Sequence, residues 1–194
     1  MHSSVKPLSK KHCFVAYMLL IGLAGAKRVG KDVVASMLVD RHGYTQYALA
    51  SPLKALCQDL FGLSDQQVHG RLKEVLDTRY HLTPRQILQI VGTDCIRSIS
   101  PTHWLDAFEA THVGADVGQK VVVSDVRFQN EVDTIKRLGG HVFLITRECC
   151  ETCDRHVSEQ QVHTLRGVDG TIRNTGTLQE LKDQAERAIG LVHI

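Results

Sequence analysis

The chain has 194 residues, of which 43% are hydrophobic and 23% charged, enough for one compact domain with a core or one domain and a small lid. Its formal net charge of +2 gives no strong field to draw a nucleic acid or a membrane surface, which argues against both as partners. Aromatic content of only 5% also weakens a base-stacking, single-strand-binding role.

In chain order, residues 10–26 imitate a secretory leader, with a basic flank, an apolar run and a small-residue end. The run is too short for a membrane span, and cleavage there would remove a strand that the next motif requires. Residues 1–15 are therefore expected to form a disordered extension, with Met18 an alternative start, and residues 16–194 the folded domain. Six cysteines form no disulfide framework, so a reducing cytoplasm is the expected compartment. Tyr17–Leu23 reads as a buried first strand and Lys31–Arg41 as the helix after it, with Val33, Val34, Met37 and Leu38 on one face. Tyr44–Leu49 reads as a second strand. Ser51-Pro52 opens a helix, with serine expected as N-cap, and Thr83-Pro84 opens another that runs to about Ile99. Residues 62–80 are polar, mixed and without a clear period. Pro101 starts a helix that contains Trp104. Lys120–Ser124 is β-branched enough for a central strand, Asn130–Leu138 is helical, and Gly139-Gly140 ends that helix. His141–Thr146 and Thr171–Asn174 complete the strands, and Thr177 with Glu180 forms a capping box for a closing helix. Alternating strands and helices predict an α/β fold with a parallel five-stranded sheet flanked by helices.

Gly25, Ala26, Lys27, Arg28, Val29, Gly30, Lys31 and Asp32 spell G-x-x-x-x-G-K-D, a P-loop with Asp where Ser or Thr is usual. Glycines let the backbone curl so that several N–H groups point at one phosphate, and the next helix adds its positive end. Lys31 then bridges the β- and γ-phosphates of ATP. The apolar strand before the loop and the amphipathic helix after it are the context that this motif needs. Asp32 either sits near Mg²⁺, directly or through water, or caps the helix. Asp125 ends the apolar strand 121–125, at the sheet edge where ligands bind in open α/β folds, and is the second candidate Mg²⁺ residue. Arg127, two residues on, suits bidentate contact with the acceptor's phosphate or with the transferring group. No Asn-Lys-x-Asp occurs, so a guanine-specific switch is disfavoured and ATP is the expected donor.

These motifs together resemble the deoxynucleoside monophosphate kinases of bacteriophages. The likeness rests on GAKRVGKD at 25–32, ALASPLK at 48–54, LTPRQILQIVGTDCIRSISPTHWLDAF at 82–108, VVVSDVRFQNEVDTIKRLGG at 121–140, HVSE at 156–159 and N-T-G-T-LQEL at 174–181. Such a resemblance implies an adenylate-kinase-like fold with a lid, and transfer of the ATP γ-phosphoryl group to a deoxynucleoside monophosphate in the cytoplasm of a cell or phage host. It implies that residues 51–112 bind the acceptor, with Lys54, Arg85, Asp94 and Arg97 as polar contacts and Trp104 as a stacking surface or part of the core. Asn174 would border the adenine. The Gly-Lys-Asp, Ser-Pro-Leu-Lys, Ser-Asp-x-Arg and Ser-Glu motifs also look like animal phosphomevalonate kinase, which is the nearer alternative. A nucleotide-binding module without catalysis is the second. Members of this fold can be homodimers.

Residues 147–170 read as the lid. Arg147 should sit close to the triphosphate, and Arg155 and Arg166 follow within the segment. By resemblance His156 and Glu159 organise the closed lid or the acceptor site. Cys149, Cys150, Cys153 and His156 have a spacing that zinc accepts, but no second pair completes it and zinc is not expected.

Overall fold

The computed structural model describes residues 18–113, 118–147 and 156–190. The elements run β1 (Leu19–Ala24), α1 (Lys31–His42), β2 (Thr45–Tyr47), α2 (Ser51–Phe61), α3 (Asp65–Val68) and a single 3₁₀ turn at Arg71–Glu74. Then come α4 (Pro84–Gln89), a π-helical stretch (Ile90–Ile96), α5 (Arg97–Ile99), α6 (His103–His112), β3 (Lys120–Val126), α7 (Gln129–Arg137) and β4 (His141–Thr146). α8 (Val157–Gln160), a 3₁₀ turn (Gln161–Thr164), β5 (Gly170–Arg173) and α9 (Leu178–Gly190) close the fold.

The five strands are all parallel, in the order β2-β3-β1-β4-β5. Helices cover both faces, so the inner strands are apolar throughout instead of alternating with polar residues. Successive side chains of one strand enter different cores. Leu20, Val121 and Val123 face a cluster with Leu53, Phe108, Val132 and Ile135. Ile21, Leu23 and Val122 face a second cluster with Val34, Met37, Leu38, Phe143 and Leu181. Each fully buried Leu, Ile or Phe contributes about 1.5–3 kcal/mol relative to an exposed one. Two such layers hold the sheet's carboxyl edge rigid, and there β1, β3, β4 and β5 hand over to the loops at Gly25, Arg127, Arg147 and Asn174. Among the described residues no helix is long and apolar enough to cross a membrane.

Three local expectations change. β2 stops at Tyr47 instead of Leu49, because the Leu49 and Ala50 N–H groups donate to the Asp125 carboxylate (2.8 and 3.0 Å) and not to a neighbouring strand. The same bonds start α2: its N-cap is Ala50, and Ser51 lies inside the first turn with Pro52. The helix after Thr83 begins as expected, with the Gln86 N–H donating to Thr83 Oγ1 (3.2 Å), but its middle relaxes to π geometry. Gly92 lies there against Leu53, where a Cβ would come within 2.3 Å of a Leu53 methyl, and its carbonyl accepts the Trp104 Nε1–H (3.2 Å). Such stretches recur at functional sites. The segment at 62–80, without a period in the sequence, forms α3 and the turn at Arg71–Glu74. The candidate zinc cysteines Cys149, Cys150 and Cys153, and Arg155, lie outside the described residues.

Candidate active site

The loop between β1 and α1 curls as the glycine spacing requires. Gly25 and Gly30 have φ of 150° and 111°, and Arg28 is left-handed at 63°. A Cβ on Gly25 would lie 2.5 Å from the Ile145 carbonyl oxygen of β4, so only glycine permits this approach. Gly30 is the N-cap of α1 and makes no side-chain cap. Asp32 therefore does not cap the helix; it stands exposed in the first turn, where the helix dipole favours a carboxylate. Lys31 folds back over the loop, donating to the Gly25 and Ala26 carbonyls at 2.7 and 2.6 Å. Burial first, and Arg127 next, lower its pKa to about 8, while Glu159, Asp32 and Asp125 pull the other way. All four of those charges thus stand close to the mouth of the loop. Asp32 and Asp125 are hard oxygen donors of the kind Mg²⁺ takes while keeping several waters. Each Asp125 oxygen accepts one N–H, and a carboxylate has about four acceptor positions, so metal-bound water still fits there.

Beside the loop lies a half-open pocket of about 700 Å³, counted together with the solvent at its mouth, between α2, the Arg71–Glu74 turn, α4 and the end of β3. Leu53, Leu88, Trp104 and Phe128 give it apolar walls, with Gln89 and Thr93 between them. Lys54, Lys73, Arg85, Arg97 and Arg127 line it against Asp125, Glu131 and Glu159: five cations and three carboxyls, an excess of two positive charges. Glu159 connects this pocket to the phosphate loop. It is 1% exposed; its Oε2 accepts the Lys27 N–H (3.1 Å), and its Oε1 meets Arg127 Nη1 closely and Arg85 Nη1 at 3.8 Å.

Some predicted residues therefore converge and others do not. Lys54, Arg85, Arg97, Trp104, Asp125, Arg127 and Glu159 share the pocket. Arg97 is committed to structure: its guanidinium bonds Glu131 (3.0 Å) and Asn130 (2.9 Å) and lies 3.8 Å from the centre of the Phe128 ring. That pairing leaves it less free to clamp a phosphate than Arg85 or Arg127. Trp104 is 6% exposed and tethered to Gly92, a fixed wall more than a mobile stacking plate. Asp94 is exposed and stands outside the pocket, 3.4 Å from His156 Nε2, so the two meet each other across the rim. Asn174 is buried, and its Nδ2–H donates to the Val29 carbonyl (2.9 Å), bracing the loop from β5. Arg147 follows β4 and is exposed. Arg166 is pinned through its backbone to the Gln129 side chain (2.9 and 3.1 Å), with its own side chain in solvent.

Two charged pocket residues, Glu131 and Lys73, escaped the sequence reading. Glu131, wholly buried, accepts the Arg127 and Phe128 N–H groups (2.7 and 3.0 Å) and pairs with Arg97. Burial pushes its carboxyl up to about 7, against the pull of Arg97 and those two donors. Its signal was a Glu at the third position of α7, half of a capping box. Lys73 had no local signal, because the segment that carries it has no period.

The model of the deoxynucleotide monophosphate kinase family matches residues 19–69 and 63–185. The chain belongs to that family. A putative deoxynucleotide monophosphate kinase of Acanthamoeba polyphaga mimivirus is 40% identical over 181 residues, covering 86% of this chain and 94% of that one. The deoxynucleotide monophosphate kinase of Enterobacteria phage T4 is 22% identical across 84% of this chain and 95% of its own. A solved gluconokinase from Sinorhizobium meliloti covers 91% of this chain and 94% of its own with a TM-score of 0.52 at 15% identity, a likeness of fold. In this kinase family member, then, the loop at 25–32 and the cationic pocket are neighbouring compartments joined by Glu159 and Arg127.

Proposed function

We propose that the protein transfers the γ-phosphoryl group of ATP to the phosphate of a deoxynucleoside monophosphate, giving ADP and a deoxynucleoside diphosphate. The observation that carries this reading is the cationic, apolar-walled pocket abutting the phosphate loop. A monophosphate ester is close to dianionic at neutral pH, which matches the excess of two positive charges there. The Trp104, Phe128, Leu53 and Leu88 walls suit a planar base better than the short branched chain of phosphomevalonate.

In this account the backbone N–H groups of residues 25–32 cradle the ATP phosphates. Lys31 leaves the Gly25 and Ala26 carbonyls and turns to the β- and γ-oxygens. Mg²⁺, held by Asp32 and Asp125 through water, would supply charge neutralisation at those oxygens. Arg127 reaches both compartments and matches the charge spread over the transferring group, while Arg85 and Lys54 hold the acceptor phosphate in line. Little covalent work falls to the protein; positioning and preorganised charge carry the rate. Glu159 aligns Arg127 and the loop. The buried face of residues 157–164, through Glu159 and Val162, shields the transfer zone from water, which a kinase must exclude to avoid hydrolysing ATP.

One assay separates the alternatives: ADP release from ATP and Mg²⁺ with dTMP, dGMP, dCMP, dAMP or phosphomevalonate. The reading predicts acceptor-dependent release with at least one deoxynucleotide. Release with phosphomevalonate alone, or none with any acceptor, would move the protein to the phosphomevalonate or non-catalytic reading.

A further inference from the structure

We infer that Lys73 is a direct ligand of the acceptor's phosphate, and that with Lys54 it lets the pocket distinguish a phosphorylated acceptor from the bare nucleoside. This rests on the kinase reading given above and names a further substrate contact within it.

The first observation is partnership. Arg85 pairs with Glu74 (2.5 Å) and Glu159, Arg127 with Glu159, Arg97 with Glu131, and Lys31 with two loop carbonyls. Among the described residues, Lys54 and Lys73 alone of the pocket's cations have neither a side-chain hydrogen bond nor an ion pair. They are the two pocket cations whose side chains no carboxylate holds, and a phosphate monoester carries two negative charges.

The second is construction. The polar segment that carries Lys73 is firmly built. Gln67 Oε1 accepts from the Ser64 N–H and Oγ–H (2.9 and 3.0 Å) at the start of α3, and the buried Asp77 accepts from Gln67 Nε2 (2.8 Å), Arg79 Nε (3.0 Å) and Arg79 Nη2 (2.6 Å). Glu74, next in the chain, bonds Arg85 Nε. The knot holds the Lys73 ammonium among charges of its own sign, Arg85 on α4, Lys54 on α2 and Arg127 after β3, with Glu74 of its own turn opposing them. Burial first, then those three cations, bring its pKa down to about 8. An ammonium kept among like charges costs the ligand-free protein stability. A bound dianion reverses that cost, which is what a ligand site requires. A lysine that merely covers apolar surface with its stem needs no such surroundings.

The test uses the whole chain with Lys73→Ala and Lys73→Arg. The acceptor is the best deoxynucleotide in the panel assay, and Trp104, the chain's single tryptophan and a wall of this pocket, reports its binding. Lys73→Ala should raise the acceptor KM and Kd roughly 10- to 100-fold, the loss of one charge-assisted bond. It should leave the ATP KM and the Kd of the unphosphorylated nucleoside within about twofold, and Lys73→Arg should restore much of the loss. Tm without ligand should hold or rise, whereas a structural lysine would lower it. Calorimetry with inorganic phosphate, the loop first filled by ADP, tests the contact separately from turnover. If no deoxynucleotide is phosphorylated but phosphate binding is lost in Lys73→Ala, the kinase reading fails and the Lys73 contact stands. Equal phosphate and acceptor binding by wild type and Lys73→Ala, or no phosphate binding by wild type, overturns the inference.

Discussion

The phosphate loop takes its shape from consecutive residues 25–32, whereas the pocket beside it draws Lys54, Lys73, Arg85, Arg127 and Glu159 from separate segments. In the proposed reaction the loop works through backbone N–H groups, which its glycine spacing presents. The pocket would work through side chains that only tertiary packing brings together. The loop is therefore specified by spacing and fails when its curl is broken. The pocket is specified by charge balance, and should fail by degrees as single partners are removed.

Lys31→Met should break the loop side most severely. We expect kcat to fall about 10³-fold or more, since a charge aimed at the transferring oxygens is lost. A Tm close to wild type would show the fold intact, and turnover near wild type would refute the loop's role. Asp125→Asn comes next, because Asp125 bears on both sides: its charge raises the pKa of Lys31, and its carboxylate fastens Leu49 and Ala50 at the start of α2. An amide keeps only one acceptor oxygen, so kcat should drop on the order of 10²-fold and the Mg²⁺ requirement should rise. An unchanged Mg²⁺ titration would remove the metal role and leave the fastening role. Glu159→Gln sharpens the comparison, since Glu159 touches Lys27 of the loop and Arg127 of the pocket. We expect kcat/KM for both substrates to fall roughly 10- to 100-fold, and a double-mutant cycle with Arg127→Ala to show strong coupling. An effect on one substrate alone would mean that the compartments are not joined there.

Smaller effects follow from pH and packing. Burial lowers the pKa of both Lys31 and Lys73 from 10.5 to about 8, and the role proposed for each needs the cation. Their contribution is present below about pH 8 and is lost as pH rises through it. With ATP saturating and Lys31 held charged by the triphosphate, kcat/KM for the acceptor should fall by up to about tenfold between roughly pH 8 and 9.5. In Lys73→Arg this limb should move to higher pH. Gly92→Ala, which drives a Cβ to 2.3 Å from Leu53, should cost about 1–3 kcal/mol in urea unfolding. It should also raise the acceptor KM and leave that of ATP alone.

Much of this was legible beforehand, for stated reasons. The loop, Asp125 at a strand end and the Thr83 and Thr177 caps are local patterns, and each forms near where its residues predict. Ser51 misled, because its capping work passes to Asp125, distant in sequence. Arg97 and Arg85 look alike in sequence; only burial beside Glu131 makes Arg97 a brace. The contacts of Asn174 with Val29 and of Asp94 with His156 were not legible, because those partners lie far along the chain. Residues 62–80 carry no period, so no pattern could announce that Lys73 points into the pocket.

The most direct measurement follows the phosphorus itself. With ATP labelled at the γ-position, Mg²⁺ and a deoxynucleoside monophosphate, we predict that the label appears in the deoxynucleoside diphosphate in step with ADP. Label released as inorganic phosphate, at a rate indifferent to the acceptor, would contradict the account.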